Sequence, residues 1–172
     1  MNKNLTLTGM MGVGKSTIGK NLAKKLNYNF VDIDKLIEIK EGASINLIFK
    51  NKSEKYFRKI EHEITLKELE KDKSVISLGG GAFMNKELRK IIKQKSKSFW
   101  LHWSSETLIK RIKNNDKRPV IKDMSSLEIK KLISERNKIY YFSDFKIICE
   151  SLKKHEIVNK ILQKCKKNEI IC

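Results

Sequence analysis

The chain has 172 residues, the length of one domain with a sizeable core. Its 38 Lys and Arg against 20 Asp and Glu give a formal net charge of +18. No stretch is apolar for long enough to span a bilayer, and no apolar leader precedes the first strand, so a cytoplasmic chain with no membrane partner is expected.

A charge of this size suits nucleic-acid binding. Against that, only Arg58, Arg89, Arg111, Arg118 and Arg136 are arginine, and the remaining basic residues are lysine. Abundant Lys, Asn and Ile reflect an A- and T-rich codon usage, which spreads Lys over every solvated face. No basic run is interleaved with aromatics as a base-stacking surface would be, so no nucleic-acid partner is expected. The charge favours anionic small molecules instead. Cys149, Cys165 and Cys172 are odd in number and lack C-x-x-C spacing, and are read as reduced thiols with Cys149 in the core. His62-Glu63 opens a zinc-protease pattern that fails at its second histidine.

In chain order, Asn4–Thr8 alternates as a strand does, Gly9–Ser16 reads G-x-x-x-x-G-K-S, and Thr17–Leu26 has helical periodicity. Strand, glycine loop and helix form the setting of a phosphate-binding P-loop. Gly9, Gly12 and Gly14 let backbone N–H groups turn toward an anion, and the helix N-terminus adds its positive dipole end. Lys15, expected on a solvated loop, would reach the β- and γ-phosphates of a nucleotide, and the Ser16 hydroxyl would ligate Mg²⁺. A second strand, Asn29–Ile33, brings Asp32 and Asp34 to one face at its carboxyl end. Such a pair can hold Mg²⁺ through water, or take a hydrogen bond or proton from an attacking hydroxyl. Capping the next helix would be a second duty of Asp34.

A helix over Ser53–Lys71 follows, then a strand over Ser74–Leu78 that ends in Gly79-Gly80-Gly81. Those glycines are either a flexible turn or bare backbone against which a substrate can lie. Helices over Asn85–Gln94, Ser104–Lys113, Ser125–Tyr141 and Leu152–Lys166 alternate with strands over Ser98–Trp103 and Phe145–Cys149. Ser53 and Ser104 are positioned as N-caps. The segment Asn114–Asp123 lacks periodicity, contains the single Pro, and is expected to be a mobile lid. Alternating β and α elements predict a parallel sheet with helices on both faces and ligands at the strand carboxyl ends. In so Lys-rich a chain, each Arg is conspicuous, because only its planar fork matches a carboxylate or phosphate. Arg89 sits on an ordinary solvated helix face, leaving Arg58, Arg111, Arg118 and Arg136 as binding candidates.

Taken in order, the P-loop at Gly9–Ser16, Asp32-x-Asp34, Phe57-Arg58-Lys59-Ile60-Glu61, Gly79–Gly81, Arg118-Pro119 and Glu135-Arg136 resemble the shikimate kinase family over essentially the whole chain. The resemblance implies a three-layer α-β-α fold of the P-loop kinase type, related to nucleoside monophosphate kinases, with a five-stranded parallel sheet. It implies one domain over 1–172, with a substrate-binding helical part at about 33–61 and a lid at about 112–124. It implies that ATP phosphorylates the 3-hydroxyl of shikimate. Gly12, Val13, Gly14, Lys15, Ser16 and Thr17 would hold the ATP phosphates, and Ser16, with Asp32 through water, would hold Mg²⁺. Asp34 would bind the ring hydroxyls and orient or deprotonate the 3-hydroxyl. Arg58 and Arg136 would clamp the carboxylate, with Gly79, Gly80 and Gly81 lining the site and Gly80 touching the substrate through its backbone. Arg118 would close over the phosphates, and Arg111 would lie near the adenine. A monomer is expected.

Two departures stand out. The family usually has a Pro before the Leu-Tyr that follows its second clamp arginine, whereas Arg136-Asn137-Lys138-Ile139-Tyr140 has none. Glu150–Lys154 lacks the Arg or Asn with Pro often found before the last helix. The competing readings are another small P-loop kinase, acting on gluconate or a nucleoside monophosphate, and a non-catalytic module binding nucleotide or nucleic acid. A nucleotide acceptor would need a site for a base and a second phosphate. Asp34, Arg58 and Arg136 fit a hydroxylated acid better.

Overall fold

Strand β1 (Asn4–Thr8) is buried along its whole length, polar residues included. In the computed structural model, which describes residues 3–113 and 124–171, it is the middle strand of one sheet. Its neighbours are β2 (Asn29–Asp32), β3 (Ser74–Ser77), β4 (Ser96–His102) and β5 (Phe145–Ile148), in the order β2-β3-β1-β4-β5, and every pairing is parallel. A strand covered on both faces must satisfy its polar side chains internally. Asn4 does so with the Leu69 and Lys71 carbonyls and the Ser74 amide, and Thr6 Oγ1 lies 3.1 Å from Ser96 Oγ.

Helices pack on both faces, giving the three layers that the alternation predicts: α1 (Lys15–Leu26), α2 (Ile33–Glu41), α3 (Ile45–Asn51), α4 (Glu54–Leu69), α5 (Lys86–Lys95), α6 (Ser105–Lys113), α7 (Ser126–Tyr140) and α8 (Lys154–Lys167). Ser53 caps α4 through the Tyr56 amide, and Ser104 takes the Thr107 amide at the start of α6. In this strand order β3 lies between β2 and β1. Asp32 and Asp34, the glycine triplet and the P-loop therefore come together at one end of the sheet. Helices α2 and α3 were not delimited by periodicity and fall within the helical part that the resemblance implies at about 33–61. The second strand, read through Ile33, stops at Asp32, whose carboxylate accepts from the Lys35 amide at 3.3 Å and opens α2. The capping duty given to Asp34 falls to Asp32. Ile33 and Ile37, one turn apart, bury the face of α2, which Gly42 ends at φ 61°.

Among the described residues, no helix is long and apolar enough to cross a membrane. Cys149 and Cys165 are buried and unbridged, as expected for Cys149, and Cys172 lies outside the described residues. Burial pushes both thiols up to about 12. At about pH 8 neither should be alkylated in the folded chain, while both should react in denaturant. Raised pKa values stabilise the fold only while the thiols stay protonated. That contribution is complete below their ordinary pKa of 9.0 and is lost as the pH rises toward about 12. Peptide mapping after alkylation tests the placement, and equal labelling of the native and denatured chain would contradict it.

Candidate active site

The P-loop follows from three backbone positions. Gly9, Gly12 and Gly14 have φ of 130°, 86° and 92°, a region costly for residues with a Cβ. At Gly9 a Cβ would also lie 2.8 Å from the Leu101 carbonyl oxygen. Gly14 begins α1 in the left-handed conformation with no side chain capping the helix, so the first amides remain available to an anion. Lys15 is not on a solvated loop. It is buried at the first turn, and its ammonium group donates to the Gly9 and Met10 carbonyls at 2.8 and 3.1 Å. Val13 is buried, while Ser16 and Thr17 are exposed on the outer side of that turn.

Beside the loop, a cavity of about 550 Å³ is lined by Ser16, Asp32, Asp34, Arg58, Glu61, Gly80, Gly81 and Arg136, with Phe49 and Phe57 among its apolar walls. Helix α4 supplies Arg58 and Glu61 from adjacent turns of one face. The Arg58 fork donates to Glu61 Oε2 at 2.7 Å and to Glu54 Oε1 at 3.1 and 3.3 Å, so its plane is set in advance. Glu61 is almost wholly buried, and its Oε1 has no hydrogen-bond partner among the described residues. Burial pushes its carboxyl above the usual range, and nearby Asp34 adds to this, while Arg58 and Arg136 pull back without cancelling the rise.

These groups explain the glycines. A Cβ on Gly79 would collide with Glu61 Oε1 and lie 2.7 Å from Asp34 Oδ1, and one on Gly81 would lie 2.5 Å from both terminal nitrogens of Arg58. The triplet is therefore not merely flexible. Its missing side chains make room for the carboxylates and guanidinium of the site as well as for a ligand. Gly79 is buried behind the wall, and only Gly80 and Gly81 line the cavity.

Arg136 reaches the cavity from α7, with one terminal nitrogen 3.7 Å from Met10 Sδ. The helix runs unbroken past Lys138, where the family usually has Pro, and Tyr141 still donates to the Asn137 carbonyl at 3.0 Å. Across the P-loop, the Arg111 guanidinium lies 3.6 Å from the centroid of the Trp103 ring, and Trp103 Nε1 donates to the Val13 carbonyl. Arg111 is thus stacked beside the loop, not in the cavity. Arg89 is no ordinary surface residue. It donates to the Phe83 and Met84 carbonyls at 2.8 and 3.2 Å and lies over the Phe83 and Phe142 rings. Arg118 and the expected lid at Asn114–Asp123 lie outside the described residues.

Among the described residues, no group of three or more His, Cys, Asp or Glu is arranged to hold a metal. A cation at Ser16 and Asp32 would draw its other ligands from water and phosphate oxygens, as Mg²⁺ commonly does, so the residues present fit that ion.

The family model described as shikimate kinase matches residues 11–166. The chain belongs to the shikimate kinase family. The shikimate kinase of Sulfurihydrogenibium sp. is 41% identical over 96% of this chain and 99% of its own length. That of Persephonella marina is 42% identical over 93% and 97%. The structure of shikimate kinase from Acinetobacter baumannii in complex with shikimate superposes with a TM-score of 0.92 at 28% identity, covering 98% of this chain and 95% of that one. The shikimate kinase fold expected from the motifs is therefore present. Sequence reading missed the parts played by Glu61, Trp103 and Tyr140. Glu61 could have been found from its spacing of three from Arg58 on a helix.

Proposed function

We propose that the chain transfers the γ-phosphoryl group of ATP to the 3-hydroxyl of shikimate. The observation that carries this reading is a single cavity that brings together two guanidinium forks, Arg58 and Arg136, the Asp34 carboxylate in the first turn of α2, and Ser16 of the P-loop. A ring that carries both hydroxyls and a carboxylate fits that combination of groups. Arg58 and Arg136 fork onto the carboxylate, which directs the hydroxyl end toward Asp34 and the P-loop. Asp34 accepts the hydroxyl proton as the new O–P bond forms and the bond from the γ-phosphorus to its bridging oxygen breaks, leaving ADP.

On the donor side, the loop amides from Gly12 to Thr17 and the Lys15 ammonium hold the phosphates, and Arg111 borders the base. Ser16 and Asp32 would hold Mg²⁺, which would supply charge neutralisation for the phosphates. Arg118 is assigned closure over the phosphates from its place in the family motif. Every group in the reading comes from this chain, so a monomer suffices for it. The helical part from α2 to α4 serves as the acceptor side.

A coupled assay for ADP release tests the reading. Release should require shikimate and should not appear with gluconate or a nucleoside monophosphate. Shikimate-independent release, or a preference for either other acceptor, would overturn it.

A further inference from the structure

Tyr140 has no part in the reaction as described, yet it is fully buried behind the acceptor cavity. It follows Arg136 by one turn of α7, so both side chains leave the same helix face. Its hydroxyl donates to the carbonyl oxygen of Gly80. Gly80 in turn lies beside Arg136, since a Cβ there would be 3.5 Å from that guanidinium. Burial, against the counter-pull of Arg136, pushes the phenol up to about 12, so it keeps its proton at neutral pH and remains a donor. The ring also lies 6.1 Å from Trp100, centroid to centroid, which fixes the phenol from behind.

A peptide bond flanked by glycine on both sides has little of its own to hold it in one orientation. Here it must present a fixed surface beside a flexible arginine. We propose that Tyr140 is a positioning residue that locks the Gly80 peptide and the Arg136 side chain into one arrangement, ready for the substrate carboxylate. The inference rests on the shikimate reading given above. A regular helix sets Tyr140 one turn beyond Arg136, and the phenol ties that register to the glycine loop that follows β3.

The test is Tyr140→Phe, which keeps the ring and its packing and removes a single hydroxyl. Losing a buried hydrogen bond that organises a charged group should raise KM for shikimate about 5- to 30-fold. KM for ATP and kcat at saturating shikimate should not change. Titration calorimetry with shikimate and with its methyl ester supplies the readout that a general packing role would not move. The acid should bind more weakly to the variant, and the ester, which has no carboxylate to clamp, should bind both proteins alike. Equal losses for acid and ester, or a parallel loss for ATP, would overturn the assignment. So would an unchanged KM for shikimate in a variant of an active enzyme. Failure of the unmodified chain to phosphorylate shikimate would instead overturn the underlying reading, and this one with it.

Discussion

Lys15→Ala is expected to abolish useful turnover while leaving the fold intact. Helix α1 is anchored by Ile18, Leu22 and Ala23, all buried, and these side chains remain when Lys15 is shortened to Ala. What it contributes is a charge held at the mouth of the P-loop by the Gly9 and Met10 carbonyls. Those acceptors hold the ammonium at the loop, where it is placed in advance to meet a phosphate. Removing one such preorganised donor typically lowers kcat on the order of 10²–10³. The variant should retain its circular dichroism spectrum and lose ADP release at saturating shikimate. Near-normal turnover would mean that the loop does not hold the transferred phosphate.

How much of this site was legible depended on whether each residue's role is local or relational. The P-loop was readable because its constraints are local: positive φ at Gly9, Gly12 and Gly14, then a helix opening on Lys15. Asp32 was placed correctly at a strand end, but the strand was run one residue too far, and Asp34 lies in the first turn of α2. Val31-Asp32-Ile33 alternates as a strand does, and only the bond from the Lys35 amide to the Asp32 carboxylate shows that Ile33 already begins a helix. Arg89 was misjudged for a related reason. Glu87, Lys86 and Lys90 are exposed, but the Arg89 guanidinium turns back onto the Phe83 and Met84 carbonyls, a tertiary contact that helical periodicity does not encode. Gly79 and Gly81 are the clearest relational case. Their need for small size comes from Glu61 and Arg58 on α4, two elements away in sequence.

Asp34→Asn should give the second large effect, a fall in kcat on the order of 10²–10⁴ with KM for ATP little changed. Asparagine keeps the shape and can still accept a hydrogen bond from the acceptor hydroxyl, so shikimate should still bind. It cannot take the proton that must leave that hydroxyl as the O–P bond forms. A loss through misfolding can be told apart by the charge balance behind Gly79. Asp34 is one of the groups that push the buried Glu61 carboxyl upward, whereas Arg58 and Arg136 hold it down. Removing the Asp34 charge relieves a like-charge contact, so Glu61 should titrate lower. A raised carboxyl pKa favours the fold below its ordinary pKa of 4.5, and that advantage is lost as the pH climbs through the folded value. With a smaller rise the loss is smaller, so the penalty from Glu61 at neutral pH should be smaller in the variant than in the parent. The paired measurements are single-turnover phosphoryl transfer and thermal unfolding of the same preparation. Slow transfer in a preparation that is fully folded at the assay temperature would establish Asp34 as the proton acceptor. Unimpaired transfer would show that another group takes the proton, and slow transfer only in proportion to an unfolded fraction would mean that Asp34 supports the fold rather than the chemistry.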